Sequence, residues 1–143
     1  MAKRTKTVSC LEGRFLREII FKGKVFSGSG EGRKFIDLPW VKQQIQEKLG
    51  FTPYSGTLNI RLTKESAHQK KLLENAKQLL IYPAIGYCTG NLIKANIDSL
   101  ECAIMIPQIS NYPSDVLEII APLYLREHLK LIDGSEVAVT FNV

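Results

Sequence analysis

Three short stretches of the chain hold residue types that phosphate chemistry uses. The run GSGEGR at residues 28–33 sets Gly28, Gly30 and Gly32 beside Arg33. Backbone approaches phosphate closely only where side chains are missing, and successive N–H groups can then form an anion nest. A guanidinium alongside adds a fixed positive charge. Alone the run is a weak signal. It lacks the GK[ST] ending of a P-loop and the spacing and following helix of a dinucleotide fold, and a glycine-rich turn or bulge accounts for it more simply. The second stretch is GTLN at residues 56–59. Thr57 and Asn59 are two apart on a predicted strand, so they share a face. A hydroxyl and an amide oxygen can both ligate a hard cation. Neither is charged, so such a site would need phosphate oxygens to complete it and would bind metal mainly together with a nucleotide. Two ordinary polar residues on a strand's wet face would look the same. The third is EIIAPLYLR at residues 118–126. Desolvation of Glu118 beside its apolar strand would raise its pKa and suit it to proton transfer, although a surface glutamate at the end of an apolar element is commoner. Arg126 reads either as a helix-surface charge or as a nucleotide contact.

Positioning these residues requires a mainly β scaffold. Residues 18–27 alternate as a strand, with Ile19, Phe21, Gly23, Val25 and Ser27 on one face. The glycines then interrupt it, and residues 34–38 read as extended again. Residues 39–49 give the clearest helix. Pro39 suits its first position, Val41, Ile45 and Leu49 share a face, and Gly50 stops it. Residues 57–62 alternate with Leu58, Ile60 and Leu62 on one side. Residues 64–80 read as helical, with Leu72, Leu73, Ala76, Leu79 and Leu80 as the core side. Extended structure broken by Pro83, Gly86 and Gly90 follows to residue 97. Residues 100–107 are an apolar strand buried on both faces, 110–114 a loop around Pro113, and 116–121 a strand. A short helix runs from Pro122 to residue 129. Asp133 and Gly134 mark a tight turn, and residues 135–143 close the chain as a strand. Many short strands and few helices suggest a small closed barrel with helical decoration.

The 143 residues suffice for one domain with its own core, and 45% hydrophobic with 23% charged residues is ordinary globular composition. The formal charge of +5 is concentrated early. Residues 1–18 carry Lys3, Arg4, Lys6, Arg14 and Arg17 against Glu12 and Glu18, and read as a basic, flexible N-terminal arm ahead of a domain at 19–143. Cys10, Cys88 and Cys102 form no paired spacing, so neither a disulfide framework nor a zinc site is expected, and free thiols fit the cytoplasm. No apolar run reaches membrane-spanning length. His68 and His128 have no ligand-like neighbours.

The ordered segments SGSGEGRKF, LP and a helix, LGFTPYSGTLNIRL, and EIIAPLYLRE with a DG turn resemble the archaeal-type CTP-dependent riboflavin kinase family, from about Ile19 to the C-terminus. The resemblance implies a single-domain, six-stranded cradle-loop β-barrel related to the RIFT barrels, with a few short helices. It implies transfer of the terminal phosphoryl of CTP to the ribityl hydroxyl of riboflavin, giving FMN and CDP, with Mg²⁺ bound alongside the nucleotide. By position, Ser29, Gly30, Glu31, Gly32, Arg33 and Lys34 would hold the CTP phosphates, and Leu123, Tyr124, Leu125 and Arg126 would help hold the nucleotide. Thr57 and Asn59 would ligate Mg²⁺. Ser110 and Glu118 would contact the flavin, with Glu118 the catalytic candidate for orienting the acceptor hydroxyl or taking its proton. Position 110 is Ser where relatives carry Thr, which keeps the hydroxyl. Residues 1–18 lie outside the match and are too short for the winged-helix DNA-binding domain some members carry. The partners expected are riboflavin and CTP, with no membrane and no nucleic acid, and a monomer is favoured. The competing readings are a non-catalytic nucleotide- or nucleic-acid-binding barrel and a kinase for another small alcohol.

Overall fold

The computed structural model describes residues 7–11, 14–86 and 90–143, with side chains from Arg17 onward. The side chains of Lys3, Arg4, Lys6, Glu12, Arg14, Cys10 and Cys88, named above, lie outside the described residues. The strands are β1 (Thr7–Leu11), β2 (Arg14–Phe26), β3 (Leu58–Leu62), β4 (Leu79–Ile81), β5 (Gly90–Ile97), β6 (Leu100–Pro107), β7 (Val116–Ile120) and β8 (Glu136–Asn142). The helices are α1 (Glu31–Ile36), α2 (Pro39–Leu49), α3 (Lys64–His68) and α4 (Leu125–His128), with a 3₁₀ turn at Lys70–Asn75.

Six strands close into a ring of antiparallel pairs in the order β2, β3, β7, β6, β5, β8 and back to β2. The barrel expected from the sequence is therefore present. Closure depends on the length of β2, which pairs β8 from Glu18 to Lys24 and β3 from Gly23 to Phe26. Gly23 belongs to both pairings. A Cβ there would press on the Arg61 carbonyl and lie 2.6 Å from the Ile60 methyl, so only glycine lets the strands approach. β1 pairs with the start of β2 and β4 with β5, extending the sheet beyond the ring.

Alternation along the strands produces two cores. Ile19, Phe21, Leu58, Ile60, Leu117, Ile119, Ile104, Val139 and Phe141 fill the barrel interior. Phe21 and Phe141 meet edge-on there at 5.0 Å. The opposite face of β6 and its neighbours carries Leu92, Ala103, Met105 and Ile120, which pack under Ile36, Val41 and Ile45 of α1 and α2. β6 is thus buried on both faces at its centre, as its apolar run predicts.

Three local expectations are corrected. The segment predicted to resume as extended at 34–38 is instead α1, whose N-cap Gly30 has φ 90°. Its helix ends at Asp37, whose N–H bonds back to the Arg33 carbonyl at 3.0 Å. The helical stretch predicted over 64–80 breaks into α3, the 3₁₀ turn and β4. Leu73 and Ala76 are buried as expected, but Leu80 is exposed on the edge strand. The helix placed after Pro122 shortens to α4.

Candidate functional site

The paired strands align Phe26, Asn59, Glu118 and Met105 in one row across β2, β3, β7 and β6. Partners in register point to the same face, and here that face is the outside of the barrel. The segment from Ser27 to α1 folds over this row and leaves a cavity of about 800 Å³. Its wall includes Ser29, Gly30, Glu31, Gly32 and Arg33 on one side, Thr57, Asn59 and Glu118 on the floor, and Tyr124 and Arg126 at one end. Phe35, Met105, Pro107, Ile109 and Tyr112 supply apolar and aromatic wall.

The glycines fit this geometry. Gly28 passes so close to Asn59 that a Cβ would lie 2.5 Å from the amide nitrogen. A Cβ on Gly32 would strike the Glu118 carboxylate and come within 2.7 Å of the Thr57 hydroxyl oxygen. The segment is also tied down. Arg33 Nε donates to Ser55 Oγ at 3.2 Å, Ser55 Oγ donates to Asp37 at 2.7 Å, and the Tyr54 N–H donates to the Ala121 carbonyl at 2.8 Å.

Glu118 is 9% exposed and accepts two hydrogen bonds, from the Thr57 hydroxyl to Oε1 at 3.0 Å and from the Tyr112 phenol to Oε2 at 2.6 Å. Burial, then the hydrogen bond and the charge of Glu118, hold the Tyr112 phenol above its usual range, so it stays a donor. Lys70 reaches this corner with its ammonium 5.2 Å from the Tyr112 ring centre. Desolvation lowers its pKa, opposed by Asp115 and Glu118. At the opposite end Arg126 donates to Asp133 at 2.8 Å and to the Phe26 carbonyl at 3.3 Å, while the Ser27 hydroxyl also donates to Asp133. The Arg126 hydrogen bond first, and that of Ser27 second, lower the Asp133 pKa.

Most of the residues singled out in the sequence therefore meet around one space, and some stand apart. Lys34 is exposed and pairs with Glu31 at 3.3 Å rather than lining the cavity. Ser110 is exposed and off the wall, while its neighbours Ile109 and Tyr112 are on it. Leu123 and Leu125 border a smaller hollow of about 60 Å³ that shares Ser55, Gly56, Thr57, Tyr124 and Arg126 with the larger one. Tyr124 stacks on Tyr54 at 4.8 Å and 13°. Tyr112, Phe35 and Met105 were not anticipated. Met105 alone had a usable signal, its place in an apolar run flanked by strands on both sides. Among the described residues no group of three or more His, Cys, Asp or Glu could hold a metal, and no helix is long and apolar enough to cross a membrane.

Fold and site together define a closed antiparallel barrel that carries a glycine-walled, half-apolar cavity on its outer surface. The chain belongs to the CTP-dependent riboflavin kinase family, whose model CTP-dep_RFKase, described as "Domain of unknown function DUF120", matches residues 25–141. A protein of Archaeoglobus fulgidus named riboflavin kinase is 41% identical over 128 residues, covering 85% of this chain and 54% of that protein. The riboflavin kinase of Ignicoccus hospitalis is 36% identical over 138 residues, covering 94% and 77%. That of Methanosarcina barkeri is 38% identical over 128 residues, covering 82% and 54%. The chain spans about half the length of the Archaeoglobus and Methanosarcina relatives.

Proposed function

We propose that this chain is a riboflavin kinase that takes its phosphoryl group from CTP and releases FMN and CDP. The observation that carries the reading is the meeting of the glycine segment, the Thr57/Asn59 pair and Glu118 around one cavity whose other wall is aromatic and apolar. Phosphoryl transfer needs mainly positioning and charge stabilisation. Ser29, Gly30, Glu31, Gly32 and Arg33 line the side where the phosphates would lie, and Lys34 stands just outside it. The isoalloxazine ring would rest toward Met105, Ile109 and Tyr112, with Ser110 at the rim. Leu123, Tyr124, Leu125 and Arg126 border the nucleotide end. In the transfer, the ribityl hydroxyl oxygen bonds to the terminal phosphorus, the bond to the bridging oxygen of CDP breaks, and the hydroxyl proton passes to Glu118.

Thr57 Oγ1 and Asn59 Oδ1 are neutral, hard oxygen donors on the cavity floor, which fits Mg²⁺ that arrives with phosphate oxygens of its own. They would hold the ion, and bound there it would offset charge on the phosphates. Because the pair is uncharged, Mn²⁺ used as a probe should bind weakly alone and clearly once CTP is present. Equal binding with and without CTP would contradict that.

The deciding experiment incubates the chain with riboflavin, Mg²⁺ and either CTP or ATP, and follows FMN by chromatography. FMN with CTP and not with ATP is the expected result. FMN with ATP alone would overturn the choice of donor, and no FMN with any nucleotide would overturn the kinase reading.

A further inference from the structure

Tyr112 lies outside every motif that drew attention to the site, yet it makes the shortest hydrogen bond to Glu118, 2.6 Å from phenol to Oε2. That length is typical of an O–H donor on an ionised carboxylate, where such bonds are strongest. The other oxygen, Oε1, receives the Thr57 hydroxyl at 3.0 Å. A glutamate's terminal torsion is otherwise soft and nearly two-fold. One donor on each oxygen fixes it.

Tyr112 is held from behind. Lys70 Nζ donates to the carbonyls of Val116 at 2.7 Å and Pro113 at 3.3 Å, which sets its ammonium 5.2 Å from the Tyr112 ring centre. The preceding residue, Asn111, has φ 67°, a left-handed conformation that asparagine tolerates better than most. It redirects the loop so that residue 112 faces back to β7. The Thr57 hydroxyl spends its single proton on Glu118, so its lone pairs are left for the cavity.

We infer that Tyr112 is a positioning residue, which with Lys70 behind it locks the Glu118 carboxylate in one orientation and, through that carboxylate, turns the Thr57 oxygen toward the cavity. Its kinetic consequence rests on the kinase reading above. The alternative is a tyrosine that merely fills the wall, and Tyr112→Phe separates the two because it keeps the ring and loses only the hydroxyl.

The test uses the full chain as wild type, Y112F, E118Q and the double variant, with circular dichroism to verify folding. Riboflavin phosphorylation with CTP is followed, together with the ¹³C carboxyl resonance of Glu118, identified by its loss in E118Q. Y112F should lower kcat by about tenfold, change KM for CTP by less than about twofold, and cost nothing further in the E118Q background. It should also move the Glu118 carboxyl resonance. A loss of the same factor in both backgrounds, or wild-type kinetics in Y112F, would overturn the inference. So would an unmoved carboxyl resonance, whatever the activity. A wild-type chain that makes no FMN would overturn the kinase reading instead, and the resonance would then decide the positioning role by itself.

Discussion

At the scale of single residues, Gly32 and Glu118 constrain each other. Alanine in place of glycine inside a helix ordinarily stabilises by about 1 kcal/mol. Gly32→Ala should do the reverse, because its Cβ would strike Glu118 and crowd Thr57. A destabilisation of about 1–3 kcal/mol by urea unfolding is expected, from overpacking, together with loss of nearly all FMN formation. Glu118→Gln keeps the shape and removes the charge. It should lower kcat by about 10²- to 10⁴-fold, the usual range for a lost acid or base, and a kcat near the wild-type value would remove Glu118 from the chemistry. What the sequence revealed at this scale was uneven. Thr57 and Asn59 were visible because alternation puts them on one face, and Glu118 because a carboxylate stands out beside an apolar strand. Tyr112 was not, because a loop has no period and its bond to Glu118 depends on the turn at Asn111.

At the scale of elements, the segment between β2 and α2 is held at both ends. Arg33, Ser55 and Asp37 fix one end, and Arg126, Ser27 and Asp133 fix the other. Asp133 carries a pKa lowered from 3.8 by Arg126 first and Ser27 second. A carboxyl depressed on folding stabilises the native state above its unfolded pKa and loses that contribution as pH falls through the native value. Asp133→Asn should therefore be less stable than wild type at neutral pH, and the gap should begin to narrow as pH falls below about 4. Urea midpoints at pH 7 and pH 3 check this, and a gap of the same size at both would point to packing instead of charge. α1 itself escaped the sequence. Six residues that include a glycine carry too little helical signal to outweigh the flanking glycines, and the helix exists because Ile36 packs against the outer face of the sheet. The 64–80 stretch misled for the opposite reason: its leucines fall at helical spacing, but pairing with β5 draws Leu79–Ile81 into a strand. α2 was legible because proline, apolar face and terminal glycine agree.

At the scale of the whole molecule, the barrel interior is filled by side chains, and the site lies on its wall. The interior is thus protected independently of any ligand. Cys102 sits within it at 3% exposure, and burial pushes its thiol up to about 12. Iodoacetamide at pH 8 should leave Cys102 unmodified in the native protein and label it in urea, as read by peptide mass spectrometry. Rapid labelling without denaturant would mean that the wall opens. The barrel itself could be expected from the number and shortness of the strands. The pairing through which it closes could not, because Gly23 joins two partners that sequence patterning treats separately. The brace from Ser27 to Asp133 spans 106 positions of the chain. A growing polypeptide emerging from the ribosome cannot make that link until residue 133 has been synthesised. Contacts this distant in sequence also tend to form on the millisecond-to-second scale, after local structure. The cavity is therefore set only when β8 joins the ring, and a nascent chain that stops before β8 should retain no ligand.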